Sequence, residues 1–260
     1  MKRFFLAIAM FFAVCATHIA AQPFALSPKT EIPLGAGLLA GEIFHNVYDF
    51  TVADDDWDGV PFDKDDVNAF DRPFMHAYNK PAARTGDAMM VLLPAGVVLF
   101  NSYCIYKNYA LTDLLTQTVM AAETLLMAHT IPHIVKPLVM RTRPYNYYAG
   151  DEALKDDWNR SFFSGHTTMA FAAATFGTYT YCKWFPESNW KIPVAAISYS
   201  LAAFTGISRL YAGCHFTTDV LVGAVVGSAV GFLVPWVHTL STKDTQIALS
   251  PAGFSVTRRL

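Results

Sequence analysis

Charge is scarce in this 260-residue chain and carries no bias of sign: 19 Lys and Arg stand against 21 Asp and Glu, a formal net charge of −2, and charged residues are 15% of the total. Without a basic excess there is no electrostatic footprint for a nucleic-acid partner, and that class is set aside. Cysteine is equally sparse, four residues at wide spacing. If Cys15 is lost with the leader described below, Cys104, Cys182 and Cys214 remain, an odd number with no disulfide framework. They are expected to act as small apolar packing residues. Three catalytic signatures are missing too: no GxxxxGK[ST] loop, no GxSxG elbow and no HExxH pair occurs. ATP hydrolysis and serine esterase chemistry therefore have no support. His129 and His133, four apart with Glu123 six residues before His129, remain a possible metal pair, weighed against ordinary hydrogen bonding in a helix core.

What is abundant is apolar: 53% of residues are hydrophobic, among them 20 Phe. Such a composition points to an all-α, polytopic helical membrane bundle. Met1 to Ala21 opens with Lys2 and Arg3, continues apolar from Phe4 to Val14 and ends in Ala20 and Ala21, the layout of a secretory signal peptide over residues 1–21. Phe12-Ala13-Val14 is a poor lipidation context for Cys15. A bilayer core needs roughly 20 apolar residues per helix, and five stretches approach that: Gly86 to Cys104, Leu114 to Val135, Thr167 to Trp184, Ile192 to Ile207 and Phe216 to Val237. Ile32 to Phe50 is interrupted by Glu42 and His45 and weakened by three glycines, so it is expected to lie in the interface. The expected count is five to six transmembrane helices. The expected divisions are a signal peptide 1–21, an interfacial helix and acidic extracytoplasmic segment 22–82, a membrane domain 83–240 and a tail 241–260.

Three smaller features qualify this plan. Eight acidic residues lie between Asp54 and Asp71, and Asp54, Asp56, Asp58 and Gly59 imitate the start of an EF-hand loop. Asp65 at its twelfth position and Pro61 at its eighth break the pattern, which favours a solvated acidic linker over calcium. Gly223, Gly227 and Gly231 form a double GxxxG ladder expected to pack inside the bundle. The tail alternates around Ile247-Ala-Leu249 and Phe254-Ser-Val256, which hints at a short strand.

Polar groups gather at the ends of the apolar stretches, where an ionisable side chain is costly and asks for a functional explanation. Lys136 and Arg143 lie seven apart, about two helical turns, so that both can face one pocket, with Pro144 ending the element; snorkelling at a membrane boundary is the bland alternative. Ser164 is placed to cap the next stretch, leaving the Gly165 amide and its neighbours as N–H donors for an anion beside His166. His215 and Asp219 are four apart, so on a helix the carboxylate can accept the imidazole N–H and leave the other nitrogen free to attack. Arg209 adds a guanidinium fork suited to phosphate.

Together the clusters resemble the type 2 phosphatidic acid phosphatase superfamily, whose motifs are KxxxxxxRP, PSGH and SRxxxxxHxxxD. Here they run from Lys136 to Pro144, Phe163 to His166 and Ser208 to Asp219, with Phe163 standing where the family has Pro. The resemblance implies a six-helix membrane fold and hydrolysis of a lipid phosphate by a phosphohistidine route without cofactor. By matched position His215 would be the nucleophile, Asp219 its orienting partner and His166 the general acid and base. Lys136, Arg143, Ser164, Gly165 and Arg209 would bind the phosphate. A lipid phosphate or pyrophosphate in the bilayer is the implied substrate; with orientation resting mainly on the signal peptide, the expected location is a bacterial inner membrane with the site facing the periplasm or exterior. Vanadium-dependent haloperoxidases share the motifs, and small soluble phosphomonoesters would fit the same pocket, so both readings stay open.

Overall fold

The computed structural model describes residues 22–51, 60–148, 157–241, 245–250 and 253–258. The signal peptide expected over Met1 to Ala21, and the calcium-like run from Asp54 to Gly59, lie outside them. Among the described residues six helices follow in order: α1 Pro28–Thr51, α2 Lys80–Asn108, α3 Leu111–Val139, α4 Gly165–Trp184, α5 Lys191–Tyr211 and α6 Thr217–Ser241. Each expected apolar stretch falls within one of them or starts one residue outside it, and Ile32 to Phe50 lies within α1. A two-stranded antiparallel hairpin, β1 Thr245–Ser250 and β2 Gly253–Arg258, pairs Ile247 with Val256, at the two alternating tracts of the tail.

Local chemistry sets the helix starts. Asn79 caps α2 by accepting from the Ala82 amide at 3.0 Å, with Pro81 in the first turn. Asp113, in the first turn of α3, reaches back to the Ala110 amide at 3.1 Å, and Ser164 caps α4. A two-residue link, Tyr109 and Ala110, turns α2 back into α3. Successive helices alternate in direction, so the start of α2, the end of α3, the start of α4, the end of α5 and the start of α6 come to one end of the bundle. All three polar clusters sit at those termini.

The bundle is turned inside out relative to a water-soluble protein. Gln117, Thr124, Thr180 and Asn101 are buried, and Trp184 Nε1 donates to Gln117 Oε1 at 3.0 Å. Meanwhile Ile192 is 81% exposed and Val225 69%, with Val91, Leu92 and Leu99 also on the outside. An apolar belt of this extent is what lipid covers. By length and hydropathy two helices qualify as membrane spans, Lys80–Asn108 and Thr217–Thr239. The other expected spans carry inward-facing polar side chains such as Gln117, Thr168 and Ser198, which lower their mean hydropathy although they face protein.

Helix α4 is the centre, packed against α2, α3, α5 and α6. The glycine ladder of α6 meets it backbone to backbone: a Cβ on Gly223 would lie 2.8 Å from Ser164 O, on Gly227 2.2 Å from Thr168 O and on Gly231 2.3 Å from Ala172 O. The three acceptors are themselves four residues apart. This contact brings the start of α6 to Ser164. Gly227→Ala is expected to destabilise the fold by about 1–3 kcal/mol, because the helices must part to admit the methyl group. The measurement is the thermal midpoint in detergent, and an unchanged midpoint contradicts the packing argument. Cys104 and Cys214 are buried among apolar side chains, while Cys182 is half-buried.

Candidate active site

Helix α3 stops at Val139, where Met140 adopts a left-handed conformation (φ 50°) and donates its N–H to Lys136 O. The chain then runs extended through Arg143, and Pro144 opens a 3-10 turn. Lys136 and Arg143 therefore do not share a helical face as the seven-residue spacing suggested. They converge because the extended segment turns back over the end of the bundle. The Arg143 amide bonds Trp158 O, its Nε donates to Asp157 O at 2.8 Å and its Nη1 to Cys214 O at 3.2 Å, while Nη2 pairs with the Asp157 carboxylate. Lys136 Nζ lies 4.0 Å from where a Gly165 Cβ would be.

Ser164 Oγ accepts from the Thr167 amide and Thr167 Oγ1, which leaves the Gly165 and His166 amides as the first two of α4, without helical acceptors. Phe163 is buried, and the Phe162–Phe163 peptide is cis. His166 Nε2 lies 2.9 Å from Asp87 Oδ1, an oxygen that also accepts from Arg209 Nη1 at 3.1 Å. Arg209 is held further by Ala83 O at 3.0 Å, while its buried Nε has no partner. Gly86 admits this guanidinium: a Cβ there would meet Arg209 Cδ at 2.6 Å.

His215 differs most from its expected setting. It precedes α6 in the loop Ala212 to Phe216, and that loop turns on Gly213 at φ 68°, with His76 O and Ala77 O where a side chain would go. The i, i+4 geometry of a helix therefore does not apply. Asp219 Oδ2 stands 3.8 Å from His215 Nδ1, too far for a hydrogen bond, and accepts instead from the Phe216 amide at 2.9 Å and Ser161 Oγ at 2.6 Å. His215 Nδ1 faces Ser161 O at 2.7 Å. A carbonyl oxygen only accepts, so Nδ1 carries the proton and the neutral ring keeps an unprotonated Nε2.

Sequence reasoning missed the other half of this scaffold. Arg141, between the two expected cations, pairs with the Asp219 carboxylate through Nη1 and with Asp71 Oδ2 through Nη2 at 2.8 Å. Its guanidinium also lies over the Phe216 ring at 4.1 Å. Asp71, read as part of a solvated acidic run, is 0% exposed and accepts from the Thr218 amide at 2.8 Å and Thr218 Oγ1 at 2.7 Å. Burial opposes its ionisation, but hydrogen bonds from Asn68, Arg141 and Thr218 outweigh that and hold the carboxyl below its ordinary range. Asp87 was also missed. Only its place one residue after Gly86, at the start of an apolar stretch, marks it in the sequence.

Lys136, Arg143 and Arg209 all act on both imidazoles. Burial first, and then these cations, hold His215 and His166 well below the usual histidine range, so both rings are neutral at pH 7. Histidine NMR of the protein is expected to show His215 as the Nδ1-protonated tautomer with a titration midpoint below 6.5. A midpoint at or above 6.5 contradicts the described environment.

The two histidines on α3 pair differently. His133 Nδ1 donates to His129 O at 2.7 Å, and His129 Nδ1 faces Glu42 of α1 at 3.4 Å. Glu123 turns elsewhere, because six residues rotate a helix by about 600°, well off the His129 face.

A family model described as the PAP2 superfamily matches residues 117–243. The lipid A 1-phosphatase of Porphyromonas gingivalis is 40% identical over 95 residues, 36% of this chain and 19% of its own length. Phosphatidylglycerophosphatase B of Bacillus subtilis is 33% identical over 149 residues, 56% of this chain and 68% of its own. A crystal structure of a transmembrane PAP2-type phosphatidylglycerolphosphate phosphatase from Bacillus subtilis aligns with 90% of this chain and 92% of its own at 20% identity, TM-score 0.41. The chain thus spans about a fifth of the first of these relatives and about two thirds of the second.

Proposed function

This chain belongs to the PAP2 superfamily, and from that premise we propose that it is a membrane phosphatase releasing the terminal phosphate of a lipid phosphate or pyrophosphate, with the catalytic domain in residues 83–240. The observation that carries the reading is the free Nε2 of a neutral, buried His215 among Lys136, Arg143 and Arg209. Nε2 attacks phosphorus in line, the P–O bond to the lipid breaks, and His166 delivers a proton to the departing oxygen. The ring becomes cationic as it is phosphorylated. Its Nδ1–H bond to Ser161 O then strengthens, and Asp219 at 3.8 Å stabilises the charge through space. Water, losing its proton to His166, next attacks phosphorus and returns the imidazole. Lys136, Arg143, Arg209, Ser164 and the Gly165 amide hold the three equatorial oxygens. A phosphate dianion among these cations also offsets much of their field at His166, which favours its protonated form next to Asp87.

The chemistry asks for no metal at phosphorus, since side chains supply the positive charge. The apolar belt supports a substrate drawn from the bilayer, and the signal peptide expected over Met1 to Ala21 supports a site at the outer face of a bacterial inner membrane. The direct test is purified protein on a panel of phosphatidate, phosphatidylglycerol phosphate, undecaprenyl pyrophosphate and lipid A phosphate, with phosphate release in excess chelator as readout. Release from at least one lipid is expected. Failure on all four while a soluble phosphomonoester is cleaved overturns the lipid assignment, and halide oxidation with vanadate and peroxide would favour the haloperoxidase chemistry. His166→Ala is expected to slow alkyl phosphates by about 10²–10⁴-fold and activated aryl phosphates much less. Equal losses contradict its acid role.

A further inference from the structure

One group of ionisable side chains is buried in the bundle and takes no part in the chemistry above. It lies towards the opposite end. Glu123 precedes Lys136 by thirteen residues on α3, and His238 follows Asp219 by nineteen on α6, roughly 20 and 28 Å of helical rise. Glu31, from the first turn of α1, completes it. His238 is wholly buried and Glu123 is 9% exposed. His238 Nε2 faces Glu31 Oε1 at 3.3 Å, Glu31 Oε2 at 3.4 Å and Glu123 Oε2 at 3.3 Å. Glu123 Oε2, aimed at this point, has no hydrogen-bond partner.

Two properties of the arrangement call for a cation at its centre. The first is the tautomer: His238 Nδ1 lies 2.7 Å from Val234 O, so Nδ1 carries a proton, and whenever the ring is neutral its bare Nε2 lone pair faces the carboxylate oxygens. Lone pairs facing one another in a buried site repel. The second is the spacing, which exceeds the ≈2.7–2.9 Å of a charge-assisted N–H···O bond. It matches the edge, about 3.3 Å, of a tetrahedron whose centre-to-ligand distances are the ≈2.0–2.1 Å of zinc with nitrogen and oxygen. Anchoring the other ring nitrogen on a backbone carbonyl is also how metal-bound histidines are oriented.

We infer that Glu31, Glu123 and His238 form a binding site for a divalent transition metal of the Zn²⁺ type. The Glu31 side chain keeps a quarter of its surface exposed, which leaves a fourth ligand position towards the outside. The metal joins α1, α3 and α6, and it fastens the segment before α1, where the Ala25 amide already bonds His238 O and the Ser27 amide bonds Glu31 Oε1. Its role is structural, and it does not rest on the phosphatase reading.

The test uses full-length protein in detergent, stripped by chelator and titrated with Zn²⁺ by calorimetry and with Co²⁺ by visible absorption. One equivalent is expected to bind, to raise the thermal midpoint, and with Co²⁺ to give the strong bands of a four-coordinate ion. Glu123→Gln and His238→Gln should each weaken binding more than about tenfold, the cost of losing even a ligand's hydrogen-bond partner. Glu31→Gln, at a partly exposed position, gives a variant with less risk to folding and the same expected loss. The double variant His129→Gln, His133→Gln should bind as the wild type does. Absence of a bound equivalent in the wild type, a six-coordinate Co²⁺ spectrum, or binding that follows His129 and His133 overturns the proposal. An imidazolium bridging the two carboxylates would be the arrangement then left.

Discussion

His215→Gln, confirmed to be inserted and folded, is expected to lower phosphate release by roughly 10⁴-fold or more, with only binding and electrostatic assistance left. The amide can still donate to Ser161 O and fill much of the buried volume, so the loop before α6 has little reason to rearrange. What disappears is the unprotonated Nε2. Acid-quenched reactions with ³²P-labelled substrate should trap a phosphorylated wild-type protein and none from the variant. Turnover near the wild-type rate would leave the phosphohistidine route without support.

The second large effect is expected at Arg141. In Arg141→Met the carboxylates of Asp71 and Asp219, both 0% exposed, lose their shared cation. Leaving buried charges unpaired costs about 3–5 kcal/mol, read as a lower thermal midpoint. Because Asp219 positions the Phe216 amide and Ser161, and Ser161 O orients His215, the same change is expected to reduce turnover by about 10²-fold. A structural loss alone would be recovered when stability is recovered, and a second substitution separates the two. Asp71→Asn in the Arg141→Met background removes one unpaired charge, so it should restore part of the stability while turnover stays low. A single variant within 1 kcal/mol of the wild type would show that the network does not hold the loop.

These two expectations differ in how they are reached. His215, like Lys136, Arg143, Ser164, Gly165, His166, Arg209 and Asp219, is marked by residue type and interval at the end of an apolar run. Position is legible there because a helix long enough to cross a bilayer delivers whatever follows it to a predictable end. Arg141 carries no such mark among several cations, and Asp71 reads as one more acid in a solvated run.

The chain alone marked the five apolar stretches and the weaker Ile32 to Phe50 that form the six helices of the described residues, and it placed three polar clusters at the ends of those stretches, since apolar run length is a local property written residue by residue. Only the tertiary structure decided which atoms meet: His215 with Ser161 O rather than Asp219, Arg141 with Asp71, Asp87 with His166 and Arg209, and His238 with Glu31. These partners stand 54, 70, 79, 122 and 207 residues apart. Their choice depends on how closely the helices approach and on which buried charge has no other neighbour, and neither is encoded in any local spacing.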